Sequence, residues 1–86
     1  MPKRKRAKNV CADRIKLARI KMKMHQVDLA AALNVDYELD ITQNGISEIE
    51  RNIRYVKDFE IIAISKVLEV HPMWLLFGDK IPDEFK

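Results

Sequence analysis

The stretch TQNGISEIERN, residues 42–52, decides how this chain is read. Thr42 offers a hydroxyl that can cap a helix, and Ile46 and Ile49 fall three apart on one helical face. Asn52 tolerates the left-handed conformation that closes a helix. A short helix over about 43 to 51 follows, its N-terminal end formed by Thr42, Gln43, Asn44 and Gly45.

The pattern extends in both directions from that helix. Upstream, QVDLAAAL at residues 26–33 is Ala-rich and stops at Asn34, another residue suited to a left-handed close, which predicts a helix over 26 to 33. Before it, Cys11, Ile15, Ala18 and Met22 recur at steps of four, three and four, predicting a first helix from about 10 to 23. Its other positions, Arg14, Lys16, Arg19, Lys21 and Lys23, read as a wet cationic face. Downstream, Asp58 is a good cap, and Ile61, Ile64, Ser65 and Leu68 share a face in a helix ending near Glu69. His71 and Pro72 read as the cap and first residue of a short apolar helix that ends at Gly78.

These signals predict an all-α fold of five short helices in one compact domain. A chain of 86 residues with only two glycines and three prolines suits packed helices better than a turn-dense sandwich. The predicted organisation is a basic flexible arm over 1–9, a helical domain over 10–78 and a C-terminal tail over 79–86.

Charge is unevenly divided. Residues 1–25 carry ten Lys/Arg against a single acid, Asp13, whereas the remainder carries six against twelve. A cationic N-terminal third points to a polyanionic partner whose phosphates release counterions on contact.

Several classes fit poorly. The lone Cys11 cannot form an internal disulfide and sits in an apolar stripe, so a buried thiol in a reducing cytoplasm is expected. The chain has no apolar run near the ~20 residues of a membrane span. His25 and His71 lie far apart, no Gly-rich phosphate loop occurs, and one Cys with two scattered His makes no tetrahedral ligand set. No enzyme activity, cofactor, metal or small-molecule ligand is expected.

The string from Ile15 to Gly78 resembles the Cro/C1-type (XRE-like) helix-turn-helix family of phage and bacterial regulators, whose domain is the lambda-repressor-like five-helix fold. Ile15, Arg19, Gln26, Leu29 and Ala30 match its first two helices. Ile46, Ser47, Ile49 and Glu50 match the Ile-Ser-x-Ile-Glu of its recognition helix, and Leu68, Val70, Trp74, Leu75, Leu76 and Gly78 match its last two. The chain departs from the family at DYELDI, residues 36–41, which lengthens the turn before the recognition helix. A sub-group of bacterial regulators is similar there, with an Arg-x-Val-x-Asp stretch matched by Arg54, Val56 and Asp58.

The resemblance implies a transcriptional regulator, in most such proteins a repressor, bound to double-stranded DNA. Thr42, Gln43, Asn44, Gly45, Ser47 and Glu48 would face the bases, since Gln and Asn can bond adenine at two atoms and Gly45 would admit the backbone closely. Gln26, Arg51 and Arg54 would contact phosphates, as would the arm residues Arg4, Lys5 and Arg6. Arg19 and Glu50 would pair to hold two helices together. A homodimer on a pseudo-palindromic operator is expected, with Phe77, Ile81 and Phe85 as candidate dimer residues. The rival expectation is a protein-interaction module, such as an antitoxin-like or phage-encoded adaptor, that uses the acidic insertion and apolar tail.

Overall fold

The computed structural model describes residues 8–85, among which every regular element is a helix and no strand occurs. Five α-helices, α1 (Ala12–Lys21), α2 (Gln26–Tyr37), α3 (Gln43–Glu50), α4 (Asp58–Val67) and α5 (Pro72–Phe77), precede a 3-10 turn over Asp83–Phe85. None of these helices is long and apolar enough to cross a membrane. The arm residues Arg4, Lys5 and Arg6 lie outside the described residues.

The core draws on every helix. Ile15 of α1, Leu29 and Leu33 of α2, Ile46 and Ile49 of α3, Ile64 of α4 and Leu75 of α5 are all sealed from solvent, with Cys11 beside them. Burial of each large aliphatic side chain contributes roughly 1.5–3 kcal/mol, which short helices need because they are marginal alone. Met22, placed by its spacing with Cys11, Ile15 and Ala18, is instead 38% exposed. Helix α1 has ended at Lys21, and Lys23 reverses the chain at φ 57.

Three helices end alike. Lys23, Asn52 and Glu69 adopt φ of 57, 60 and 57 after α1, α3 and α4. The following N–H groups of Met24, Ile53 and Val70 donate to the carbonyls of Arg19, Glu48 and Ser65 at 3.1, 2.8 and 3.0 Å. This satisfies carbonyls that a helix end leaves open. Asn52 suits the position, whereas Lys23 and Glu69 hold it against the Cβ clash that disfavours left-handed backbone.

The stop expected at Asn34 is not used. Helix α2 runs one further turn to Tyr37 and reverses at Glu38, φ 55. Asn34 stays helical and donates its side-chain amide to the carbonyls of Ala30 at 2.8 Å and Ile41 at 2.6 Å. The inserted residues therefore divide into a helical leg outward and an extended leg back along the flank of α2. The return leg delivers Ile41, 4% exposed, into the core.

At the other boundaries Lys57, not Asp58, is the N-cap of α4, and the Glu60 carboxylate accepts from the Lys57 N–H at 2.8 Å. His71 caps α5 by accepting from the Met73 N–H at 3.0 Å on Nδ1, and Gly78 follows at φ 68.

Two polar residues near the N-terminus organise the bundle from inside. Arg14, expected on the wet face of α1, donates Nε to Leu75 O at 2.9 Å and Nη2 to Leu76 O at 3.1 Å, closing the carbonyl end of α5. A Cβ at Gly78 would lie 3.2 Å from Arg14 Nη1, so the glycine makes room for the guanidinium. Asn9, expected in the arm, is buried. Its N–H donates to Asn52 Oδ1 at 2.8 Å, its amide to Arg54 O at 2.7 Å, and its Oδ1 accepts from the Val56 N–H at 2.9 Å. Asn9 thereby fastens the chain start to the loop between α3 and α4.

Candidate nucleic-acid interface

Helix α3 begins where the Thr42 hydroxyl accepts from the Gly45 N–H at 3.1 Å, which turns Gln43 and Asn44 outward. Thr42, Gln43 and Asn44 are exposed, whereas Ile46 and Ile49 lie on the opposite, buried side. The same helix thus anchors in the core and presents an uncharged, amide-rich end to solvent.

That end is braced against the start of α2. Gln43 Nε2 donates to Gln26 Oε1 at 2.8 Å, and Gln26 Nε2 donates to Glu50 Oε1 at 3.1 Å. Glu50 accepts from Arg19 in two-point fashion, Nε to Oε2 at 2.8 Å and Nη2 to Oε1 at 3.0 Å. Arg19 Nη1 also donates to Met24 O at 2.8 Å. One continuous chain of bonds therefore runs from α1 through the last residue of α3 and the first residue of α2 to the first residue of α3. Arg19 and Glu50 are 8% exposed each, so solvent screens this pair little, and the bond from Glu50 raises the guanidinium pKa still further.

The arrangement leaves hydrogen-bonding capacity where it is exposed. A glutamine amide has two N–H donors and one oxygen acceptor. Gln43 spends one donor on Gln26, leaving a donor and the oxygen, the pair of groups that matches adenine N7 and N6. At the start of α2 the N–H groups of Gln26 and Val27 have no partner within the helix, while the Asp28 N–H donates to His25 O at 3.0 Å, and the dipole end is positive.

The other residues expected in the site divide. Ser47 and Glu48 are half-buried, with Ser47 Oγ accepting from Arg51 Nε at 3.2 Å, so that Arg51 lies along the outer edge of α3. Gly45 is buried, and a Cβ there would sit 3.1 Å from Ile41 Cγ1, so its smallness makes room for the returning leg of the insertion. Arg54, expected at a phosphate, holds both oxygens of Glu60 with its guanidinium, Nη1 to Oε1 at 3.0 Å and Nη2 to Oε2 at 2.7 Å, because that carboxylate is buried at the start of α4 and requires a cation. Burial alone would raise the Glu60 pKa, but the bonds from Arg54 and the Lys57 N–H outweigh it and leave the carboxyl below its ordinary value of 4.5.

Phe77 and Phe85, expected on a dimer face, stack on each other with ring centroids 5.5 Å apart while remaining 38% and 54% exposed, and Ile81 between them is half-buried. The Gln26–Gln43 bond was not foreseen, although both residues standing first in their helices was its visible signal.

Among curated proteins none matches the chain. Among solved structures, the crystal structure of the P22 c2 repressor in complex with synthetic operator 9T in the presence of Tl+ is similar, with a TM-score of 0.69 and 29% identity, covering 80% of this chain and 96% of that one. The profile of the helix-turn-helix family matches residues 15–75, from the first core isoleucine of α1 to the buried leucine of α5. With a profile that spans most of the folded chain, and a Cro/C1-type repressor as structural neighbour, the protein belongs to the Cro/C1-type helix-turn-helix family.

Proposed function

We propose that this chain is a sequence-specific transcriptional repressor that reads the major groove of double-stranded DNA with the N-terminal end of α3. The observation that carries the reading is the exposed Thr42–Gln43–Asn44 end, braced by Gln26 in a fold shared with a repressor bound to its operator. Gln43 and Asn44 make the base contacts, with Thr42, Ser47 and Glu48 beside them. Base edges in the major groove distinguish all four pairs, and a bidentate amide favours adenine. Gln26, the first N–H groups of α2 and Arg51 contact phosphates, with the basic arm that includes Arg4, Lys5 and Arg6 adding sequence-independent attraction.

A helix of this length reads only a few base pairs, so two copies act on half-sites ~34 Å apart in a pseudo-palindrome. The test is selection of bound duplexes from a random pool, followed by titration of the selected site at increasing salt. A selected pseudo-palindrome whose affinity falls steeply with salt is the expected result. Retention of no duplex at low salt, by protein shown to be folded, would overturn the reading.

A further inference from the structure

A cavity of about 360 Å³ opens where the end of α1, the turn after α4 and the start of α5 meet, walled by Met22, Leu68, Val70 and Trp74 with Lys21 and His71 beside them. That size, with mostly apolar walls and a few polar groups, is what small organic ligands occupy. Met22 stands 38% exposed here, and its flexible thioether packs well against aromatic rings. The free polar side-chain groups are all donors. Among the described residues the Lys21 ammonium has no hydrogen bond or ion pair, and the Trp74 indole N–H has no acceptor. His71 Nδ1 is taken by the Met73 N–H at 3.0 Å, so in the neutral ring the hydrogen sits on Nε2. No carboxylate of the described residues lines the cavity, and Glu69, next in sequence to Val70, lies outside it. Carbonyls at the ends of α1 and α4 are closed as well, Ala18 O by the Met22 N–H at 3.1 Å and Ser65 O by the Val70 N–H at 3.0 Å.

We propose that this cavity binds a small aromatic monocarboxylate, its ring against Trp74 and Met22 and its carboxylate at Lys21 and the His71 Nε2–H. The donor set selects that class. A purely apolar molecule would fill the walls and leave three donors unanswered, and a cation would meet Lys21 with no acid to hold it. An anion carried on an apolar body answers both, through charge-assisted bonds at the rim and ring contacts with the indole within. A molecule of roughly ten non-hydrogen atoms in such a site binds with a Kd on the order of 0.1–1 mM. None of these residues is among those proposed to meet DNA, so the ligand site goes beyond the groove-reading end and does not depend on it.

Trp74 is the chain's single tryptophan, so its fluorescence reports occupancy directly. The full chain is titrated at constant ionic strength with 3-phenylpropionate, with its neutral amide 3-phenylpropanamide and with the cationic 3-phenylpropylamine, and thermal melts follow each. The carboxylate is expected to give a saturable change and to raise the melting temperature, because it binds only the folded chain. The amide should bind at least about fivefold more weakly, and the amine more weakly still. Lys21→Gln, at an exposed position, should bring the carboxylate down to the amide's affinity without moving the amide, whereas Lys16→Gln, an exposed lysine of α1 outside the cavity, should leave all three unchanged. No saturable response to the carboxylate at ~10 mM, by protein shown to be folded, would overturn the proposal. So would equal affinity for the three probes, or a Lys16→Gln loss as large as that of Lys21→Gln. These titrations contain no DNA, so their failure and the failure of the duplex selection are told apart.

Discussion

Replacing Arg54 with alanine separates a structural role from a phosphate contact. Arg54 is the bidentate partner of Glu60, whose side chain is only 5% exposed, and its removal leaves that carboxylate with the Lys57 N–H. Breaking a fully buried pair by deleting one partner costs about 3–5 kcal/mol, but the Arg54 side chain is 28% exposed and the cap persists, so a loss of about 2–3 kcal/mol is expected for Arg54→Ala. In a chain of this size that lowers the melting temperature by roughly 10–20 °C. The assay is urea unfolding followed by Trp74 fluorescence from pH 7 to pH 3. In the wild type the folded carboxyl titrates below 4.5, so the stability it contributes is present above that value and lost as pH falls through the lowered one. In the variant, burial is opposed only by the N–H and the charge of Lys57, and the ionised carboxylate itself is the cost. The gap between the two proteins should therefore be widest near neutrality and close in acid. A loss under ~1 kcal/mol that does not change with pH, together with a shallower salt dependence of DNA affinity, would refute the structural role and return Arg54 to the phosphates.

Other perturbations read separate parts of the molecule. Gln43→Ala should relax base preference at one position by ~1–3 kcal/mol, whereas Arg51→Ala should weaken all duplexes alike and reduce the salt slope by about 1, both measured by fluorescence anisotropy on selected and scrambled sites. Glu69→Gly relieves a left-handed residue after α4 and should raise stability by up to about 1 kcal/mol in urea unfolding, because glycine carries no Cβ there. Asn9→Ala leaves the Val56 N–H and the Arg54 carbonyl without their partner and should cost about 1–3 kcal/mol. A melt indistinguishable from wild type would show Asn9 to be dispensable.

What could be seen in the sequence was local. Thr42, Asn52, His71 with Pro72, and Gly78 punctuate helices through bonds made within a few residues, and each occupies the boundary its chemistry suggests. Core positions followed from spacing because burial of one face is what makes short helices stable. What could not be seen depended on partners far along the chain. Arg14, Asn9 and Arg54 look in sequence like solvated or phosphate-seeking groups, yet Arg14 closes α5 from 61 positions away and Asn9 reaches Arg54 across 45. A donor cannot be assigned before its acceptor is placed. The cationic N-terminal third is accordingly less available than a tally of charges suggests, since Arg14 and Arg19 are both spent inside the fold.

The insertion shows why a local departure from a family pattern need not move the functional end. Asn34 permits a helix stop but does not compel one; with its amide engaged by Ala30 and Ile41, continuing the helix and folding the chain back satisfies more polar groups than stopping. Because the outward leg is matched by a return leg, the lengthened turn brings Ile41 back beside Asn34. Ile41 then fills the space that Gly45 leaves, and Thr42 caps α3 beside it. The direction of α3 is set by Ile46 and Ile49 in the core and by the bonds from Arg19 through Glu50 and Gln26 to Gln43, none of which passes through the inserted residues. Lengthening the turn therefore adds surface, Tyr37 among it, without loosening the bonds that hold the exposed start of α3.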